Sequence, residues 1–465
     1  MESEFDRTWI AERLGALLGH VRGECDGAEA LFRGDEGSHV RLAESRIIQA
    51  GQVVEAKVTL RIVVDQREAR ASTTDLTDYG LRQCAALATS RARSAPRAAE
   101  AIVLALPSDI GPSDGRVLDQ ATAALDGRIK AQWLDEACRA HEADDLSLAG
   151  RFHSGLNTIA VRSTTGVNAF HQGTWVDVNL SALERPAGHR ASAYRAYFDT
   201  CVSESNINAL AQAVREECHR AHDPISVAPG AWDVVLAPAA VAELLEWMGT
   251  IAFTSRSAEE GTSFIAGRQG ESVTGEHISL IDDASMPHGI GVPLPFDVEG
   301  QPKRRVSLVD KGIARGVVHD TMSGTRAGCA STGHAQCDDE FPTSGSRAAH
   351  IHLEPGTGTP EAMVERVKRG LLVTRFHYVN GMLEPRRAVM TGLLRDGAFL
   401  IEDGRQGRAV ETLRFTDSIL EAFGRIEDSA SISKTLEAHN SWFGPSQCFV
   451  APWLLIPGLK FTSGR

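Results

Sequence analysis

The sequence predicts an α+β protein, with an α/β N-terminal half of antiparallel sheets and helices and a β-rich C-terminal half, barrel-like or built as a curved sheet. Three observations carry this reading. The run VEAKVTLRIVVD places Val54, Ala56, Val58, Leu60 and Ile62 on one face, the period-two pattern of a half-buried strand. The stretch STTDLTDYGLRQCAALATSRA then offers a Thr or Asp cap ahead of a helical pattern through Leu81, Cys84, Leu87 and Ala88. Beyond Thr250 the sequence turns to short apolar runs separated by glycine, as in GTSFIAGRQGESVTGEHISLIDDAS and VSLVDKGIARGVVHD.

Taken in order, Thr8 to Val21 reads as an amphipathic helix, and the alternation from Ser38 to Arg70 suits strands. Pro107 to Gly115, rich in Pro, Gly, Ser and Asp, is the first linker candidate. A helical stretch follows from Val117 to Ala143. LNTIAVRSTTG and NAFHQGTWVDVNLS, joined near Thr165 and Gly166, read as a hairpin or neighbouring strands. A helix over Ser205 to His222 stops at Asp223 and Pro224, because the residue before proline disfavours the helical conformation. The chain accordingly divides into an α/β unit over 1–110, a second over 111–224, and a β-rich domain over 225–465.

Composition narrows the function. At 465 residues the chain has ample length for two or three domains and a large core. It is 42% hydrophobic and 23% charged, with no apolar run near the roughly 18 residues that span a bilayer, so no membrane partner is expected. The first residues, MESEFDRTWIAERLG, lack the basic start and apolar block of a secretory signal. Eight scattered cysteines are most simply free thiols. The expected location is therefore the cytoplasm. A net charge of −13 argues against nucleic acid, whose binding draws on Lys and Arg releasing counterions.

The most informative stretch is Ala231 to Thr250, AWDVVLAPAAVAELLEWMGT. An apolar strand reaches Pro238 and passes into a helix whose Val241, Leu244, Leu245 and Met248 recur at helical spacing. With the blocks GTSFIAGRQGE, SLIDD, GLLVTRF and GAFLIEDGR downstream, and ARASTTDLTDYGL near the N-terminus, the chain resembles the TldD/PmbA family over nearly its whole length. Catalytic members of that family carry H-E-x-x-x-H on this helix, two zinc ligands and an acid/base. The resemblance places Leu245 and Thr250 at the two histidines and Glu246 at the glutamate. Leucine has no donor atom and a threonine hydroxyl is a poor substitute for imidazole, so Glu246 alone cannot hold zinc. Those members take a further ligand from a Cys near the C-terminus, a role not carried to Cys448. The resemblance thus implies a non-catalytic subunit of the PmbA or TldE kind, with no metal and no catalytic residue of its own. It would pair as a heterodimer with a TldD-type homologue that holds the zinc, and wall a cavity for unfolded peptides or small amide substrates. Glu246, His334 and Arg347 are the expected lining residues. Related pairs are also associated with tailoring peptide natural products, as in antibiotic biosynthesis, including removal of acyl groups.

Two other clusters could hold a metal. Cys329, His334, Cys337 and Asp338 lie within GCASTGHAQCDDEF, with good zinc ligands but without paired C-x-x-C spacing. A self-sufficient metallo-amidase built on Cys329, His334 and Cys337 is the alternative enzyme reading. His350 and His352 in AHIHLEPG share a strand face, since side chains alternate with a period of two. The bland readings are a glycine-rich loop and a hydrogen-bonded His pair. No P-loop, G-x-S-x-G elbow or Rossmann fingerprint is present. The acidic patches Glu142 to Asp145 and Cys337 to Glu340 read as solvated loops, and Trp232, Trp247, Trp442 and Trp453 as residues packed in cores or interfaces, with lining a groove as the alternative.

Overall fold

The computed structural model describes residues 5–110, 117–139, 145–185, 191–285, 292–336, 345–436 and 447–464. The N-terminal part comprises α1 (Arg7–His20), β1 (Gly27–Ala43), β2 (Arg46–Val64), β3 (Arg67–Thr73), α2 (Asp78–Ser94), α3 (Gln120–Ala123), α4 (Gly127–Arg139), β4 (Leu146–Ser163), β5 (Asn168–Glu184), β6 (Ser192–Asp199) and α5 (Glu204–Arg220). All six strands form one antiparallel sheet in the order β3-β2-β1-β4-β5-β6. The units expected at 1–110 and 111–224 therefore contribute three strands each to a single sheet.

One face of this sheet carries two covered patches. Ala28, Ala30, Phe32, Val58, Leu60 and Ile62 pack beneath α1 and α2, while Phe152, Val176, Val178 and Leu180 join a core with residues of α4 and α5. Val54, expected on the same buried face, is 42% exposed, since it falls between these two covered patches. In α2 the buried stripe is Leu81, Cys84, Ala85 and Ala88, and Leu87 points away from it. Thr77 caps that helix through its hydroxyl. The opposite face of the sheet is covered by the C-terminal part, described below.

The C-terminal part runs through β7 (Gly230–Leu236), α6 (Pro238–Ile251), α7 (Ser255–Glu259), β8 (Leu280–Asp282), β9 (Val306–Asp310), β10 (Ile313–Ala314), α8 (Thr321–Ala327), β11 (Ala335–Gln336), β12 (Gly345–Ser346), β13 (Ile351–Leu353), α9 (Pro360–Arg366) and β14 (Arg369–Val373). It ends with β15 (Phe376–Glu384), β16 (Val389–Leu394), β17 (Ala398–Glu402), β18 (Arg405–Ala409), β19 (Leu413–Ser418), α10 (Ile419–Phe423), β20 (Asp428–Leu436) and β21 (Phe449–Gly464). Thirteen of these strands make one sheet with the path β10-β9-β8-β13-β21-β7-β14-β17-β18, and β15, β16, β19 and β20 branch from it. Its end strands do not meet, so the sheet is open and the barrel-like alternative does not hold.

The long β21 organises this sheet by pairing with β7, β13, β19 and β20. Pro457, which has no N–H to give, sits where the β21–β7 register shifts between Ile456 and Leu459. Strands β7, β14 and β21 are apolar on both faces for a physical reason. Val234, Leu371, Val373, Leu454 and Ile456 face the core that holds α6, while Val235, Leu372 and Leu455 face the core shared with α4 and α5. A sheet buried on both sides needs continuous apolar runs, which WDVVL, GLLV and WLLI supply. Among the described residues no helix is long and apolar enough to cross a membrane.

Candidate functional site

Helix α6 begins with Pro238, whose fixed φ suits a first helical turn, and buries eleven of its fourteen residues. Such all-round burial marks a helix enclosed by the fold. Gly249 explains how it fits: a Cβ there would come within 2.3 Å of the Ala348 carbonyl oxygen. The helix thus lies directly on the segment that leads into β13. Leu245 is fully buried among apolar neighbours, and the Thr250 hydroxyl donates to the Glu246 carbonyl at 3.1 Å, one turn back on its own helix. Neither position offers a ligand, and the donor set on this helix does not fit zinc. Glu246 is 4% exposed. Its neighbour Glu243 has its carboxyl pushed up to about 8, by burial first, with Arg375 opposing and Glu246 adding to the rise. Arg375 pairs with Asp396 at 2.6 Å and lies 3.8 Å over the ring of Tyr194 on β6.

His334 and Arg347 fall elsewhere, together. The Arg347 N–H donates to the His334 carbonyl at 3.1 Å, beside the β11–β12 pair. The fully buried imidazole of His334 is committed on both sides: Nε2 lies 2.8 Å from Asp282 Oδ1, and Nδ1 lies 2.8 Å from the Thr332 carbonyl. The other Asp282 oxygen accepts the His350 N–H at 2.9 Å. Burial alone would raise the Asp282 carboxyl, but His334 and the nearby Lys303 ammonium hold it well below the usual carboxylate range. His352 Nε2 lies 3.0 Å from the Asp283 carbonyl. Cys329 is exposed, and Cys337 and Asp338 lie outside the described residues, as do Trp442 and most of both acidic patches. Among the described residues no three His, Cys, Asp or Glu side chains are placed to hold a metal ion. The buried Cys448 donates its N–H to the Ala349 carbonyl at 2.9 Å.

A cavity of about 260 Å³ lies between the second face of the N-terminal sheet and the C-terminal part. Asp35, Arg151, His153, His171, Trp175 and Asp177 line one side, with Phe198 beside them, and Val292 to Leu294, His350 and Gln447 the other. The alternation of β4 and β5 builds the first wall: Phe152, Val176 and Val178 turn to the helices, so His153, Trp175 and Asp177 turn to the cavity. Trp175 Nε1 donates to Asp35 Oδ1 at 3.3 Å, and the ring of His153 stands edge-on to Trp175 at 4.4 Å. Arg151 pairs with Asp177. Burial pushes Asp35 up to about 6 despite the Trp175 bond. It pushes both His153 and His171 down to about 4, and holds His350 well below its ordinary value. These imidazoles are therefore neutral at neutral pH.

A second space on the same sheet face, about 430 Å³, surrounds a buried ion cluster. Arg61 pairs with Glu29 and Glu68 at 2.9 Å each, and with Glu299 of the C-terminal part at 3.5 Å. Burial first, and then the nearby carboxylates of Asp297 and Glu29, push Glu299 up to about 8 against the opposing pull of Arg61. Neither space is lined by Glu246, His334 or Arg347. The residues missed by the sequence reading are Asp35, His153, His171, Trp175 and Asp177. A signal existed: in NAFHQGTWVD the odd positions carry His, Trp and Asp where a solvated face would carry Lys, Glu or Ser.

Comparison with known proteins sets this geometry in context. Residues 229–463 match the PmbA/TldA metallopeptidase C-terminal domain and residues 28–96 match PmbA/TldA metallopeptidase domain 1. The crystal structure of TldE from Thermococcus kodakarensis shares the fold, with a TM-score of 0.86 and 17% identity, covering 97% of this chain and 100% of that one. A metalloprotease of Methanothermobacter thermautotrophicus is 22% identical over 176 residues, 37% of each chain. An uncharacterised protein of Methanocaldococcus jannaschii is 30% identical over 103 residues, 22% of this chain and 24% of its own length. In sequence the chain thus matches well under half the length of these two relatives from Methanothermobacter thermautotrophicus and Methanocaldococcus jannaschii.

Proposed function

The chain belongs to the PmbA/TldD metallopeptidase family, and from that premise we propose that it is the subunit that lacks a hydrolytic centre and acts through a zinc-bearing homologue. One observation carries the proposal. On the helix where the family resemblance puts H-E-x-x-x-H, Leu245 is sealed in the core and Thr250 spends its hydroxyl on the Glu246 carbonyl. Leucine has no donor atom to give, and the Thr250 hydroxyl is engaged within its own helix. The alternative of a self-sufficient amidase on Cys329, His334 and Cys337 is the weaker reading, because both ring nitrogens of His334 are already engaged.

In this reading the chain walls a cavity that admits unfolded peptides or small amides, or a peptide natural product to be tailored, and the homologue supplies zinc and an acid/base glutamate. When bound there, zinc would polarise the amide and activate water. The residues of this chain would position and enclose the substrate.

Co-expression with a homologue that carries H-E-x-x-x-H tests the proposal. The expected product is a 1:1 heterodimer, or a dimer of such pairs, that hydrolyses amides and loses activity to a chelator or to mutation of the partner's glutamate. Glu246→Gln in this chain should leave most of that activity intact. Loss of turnover in an intact Glu246→Gln complex would place the chemistry on the wrong subunit. A lone chain that stays a monomer and ignores the homologue in light scattering would end the partner reading.

A further inference from the structure

We propose that the 260 Å³ cavity between the N-terminal sheet and the C-terminal part is a binding site for a primary ammonium group, as carried by a peptide N-terminus or a small aliphatic amine, with Asp35, His153 and His350 as its acceptors. The inference stands on this chain alone and does not require a hydrolytic partner.

The wall offers polar atoms that the described residues leave open. Asp35 receives a single side-chain hydrogen bond among the described residues, the 3.3 Å contact from Trp175, which leaves most of its acceptor capacity open. His153 and His350 each line the cavity and keep a buried ring nitrogen, Nε2 and Nδ1 respectively, with no hydrogen-bond partner among the described residues. His350 is only 2% exposed, so bulk water does not reach it freely. Polar groups so placed are normally satisfied, and those that are not call for an account such as a ligand.

Charge selects the ligand's sign. Asp35 and the buried Asp177 both face the cavity, and among the described residues the one cation lining it, Arg151, is bound to Asp177 and has a side chain 47% exposed to solvent. An anion would meet two carboxylates there. An organic cation would meet them together with the aromatic rings of Trp175 and Phe198, which attract ammonium groups through their faces. The volume lies below the roughly 300–1,000 Å³ of sites for drug-sized molecules, so the occupant is a small head group or a chain end.

The site should be sensitive to pH in a defined window. The groups acting on Asp35 are Trp175 from β5, Glu55 from β2, Glu36 from its own strand and Lys130 from α4, and burial outweighs them to leave its carboxyl at about 6. His153 remains a neutral acceptor down to about pH 4, burial holds His350 well below its ordinary value, and an α-amino group stays protonated below about pH 7.7. Between pH 7 and pH 5, then, Asp35 is the wall acceptor that changes. At pH 5 about nine-tenths of it is protonated, so affinity that depends on the carboxylate should fall about tenfold.

Calorimetric titration of the full chain with alanyl-alaninamide and with butylamine, each beside its N-acetylated form, tests this. Saturable binding of a free amine, absent for the acetylated compound and about tenfold weaker at pH 5 than at pH 7, is the expected result. Binding of the dipeptide amide but not butylamine would assign the site to peptide N-termini, and equal binding would assign it to amines in general. Asp35→Asn should weaken binding at pH 7 by about tenfold and flatten the pH profile. Equal binding of acetylated and free probes overturns the proposal. So does the absence of saturation at about 10 mM, or an Asp35→Asn chain that keeps wild-type affinity and pH dependence. The acetylation arm needs no variant, so the test stands even if Asp35→Asn folds poorly.

Discussion

Restoring the two missing histidines on α6, as Leu245→His with Thr250→His, should unfold the helix from its bed before it creates a metal site. Leu245 is fully buried, and removing a leucine from such a place forfeits about 1.5–3 kcal/mol of apolar burial. The imidazole that replaces it has two polar nitrogens in an apolar cluster, and one left without a partner costs about 1–3 kcal/mol more. Losing the Thr250 hydroxyl bond to Glu246 adds about 0.5–1.5 kcal/mol. The total, about 5 kcal/mol, is comparable to the whole stability of many domains, about 5–15 kcal/mol. Zinc can offset it only with a third ligand and a second shell that orients the rings, and no group of three candidate ligands occurs among the described residues. Urea unfolding of the double variant with and without zinc measures the loss directly, and metal analysis and an amide-hydrolysis assay follow on the same sample. A variant within about 1 kcal/mol of wild type that holds one zinc per chain and hydrolyses amides would refute the burial argument.

Other expectations follow from the same geometry. Purified alone, the chain should hold well under one equivalent of zinc and hydrolyse nothing, whereas stoichiometric zinc that survives dialysis and is lost on mutating His334 would favour the self-sufficient amidase. Asp282→Asn should cost about 3–5 kcal/mol in a urea melt, since it breaks a buried pair with His334 and removes one of the two carboxylates, with Asp297, that act on the buried Lys303. Because the Asp282 carboxyl is held below its unfolded value, its contribution is present above about pH 4 and drains away as pH falls, so the variant should lose the wild type's acid-side slope. Glu243 runs the other way: its carboxyl is raised to about 8, so wild-type stability should decline as pH climbs from about 4.5 through 8. Glu243→Gln should remove that decline and gain about 1–3 kcal/mol at pH 8, and an unchanged slope would show that the carboxyl is already ionised.

The parts of this molecule that sequence could and could not reveal divide along one physical line. Where one structural partner sufficed, the pattern was readable: Val58, Leu60 and Ile62 alternate beneath helices, Thr77 caps α2, and Pro238 opens α6 after an apolar strand. The turns β1–β2 and β2–β3 were not readable, because Glu44-Ser45 and Asp65-Gln66 adopt the positive φ of tight hairpins without the Asn-Gly or Asp-Gly that usually announces one, whereas the β4–β5 turn at Thr165 and Gly166 was. The cavity was hidden for a deeper reason. Odd positions that carry Glu29 on β1, Thr59 and Arg61 on β2, and His171, Trp175 and Asp177 on β5 alternate with apolar residues as in a half-solvated sheet, yet this face is covered by the C-terminal part. That cover turns Arg61 and Glu29 into a buried ion cluster. It also brings His350 of the C-terminal part to line the same cavity as His153 of β4 and Asp35 of β1. The same cover that hides these groups from a local pattern is what strips them of water. Stripped of water, the carboxyl of Asp35 rises and the imidazoles of His153 and His350 become neutral acceptors. The chemistry of the site is therefore a product of the contact between the two parts of the chain, and loosening that contact should return these groups toward their ordinary values.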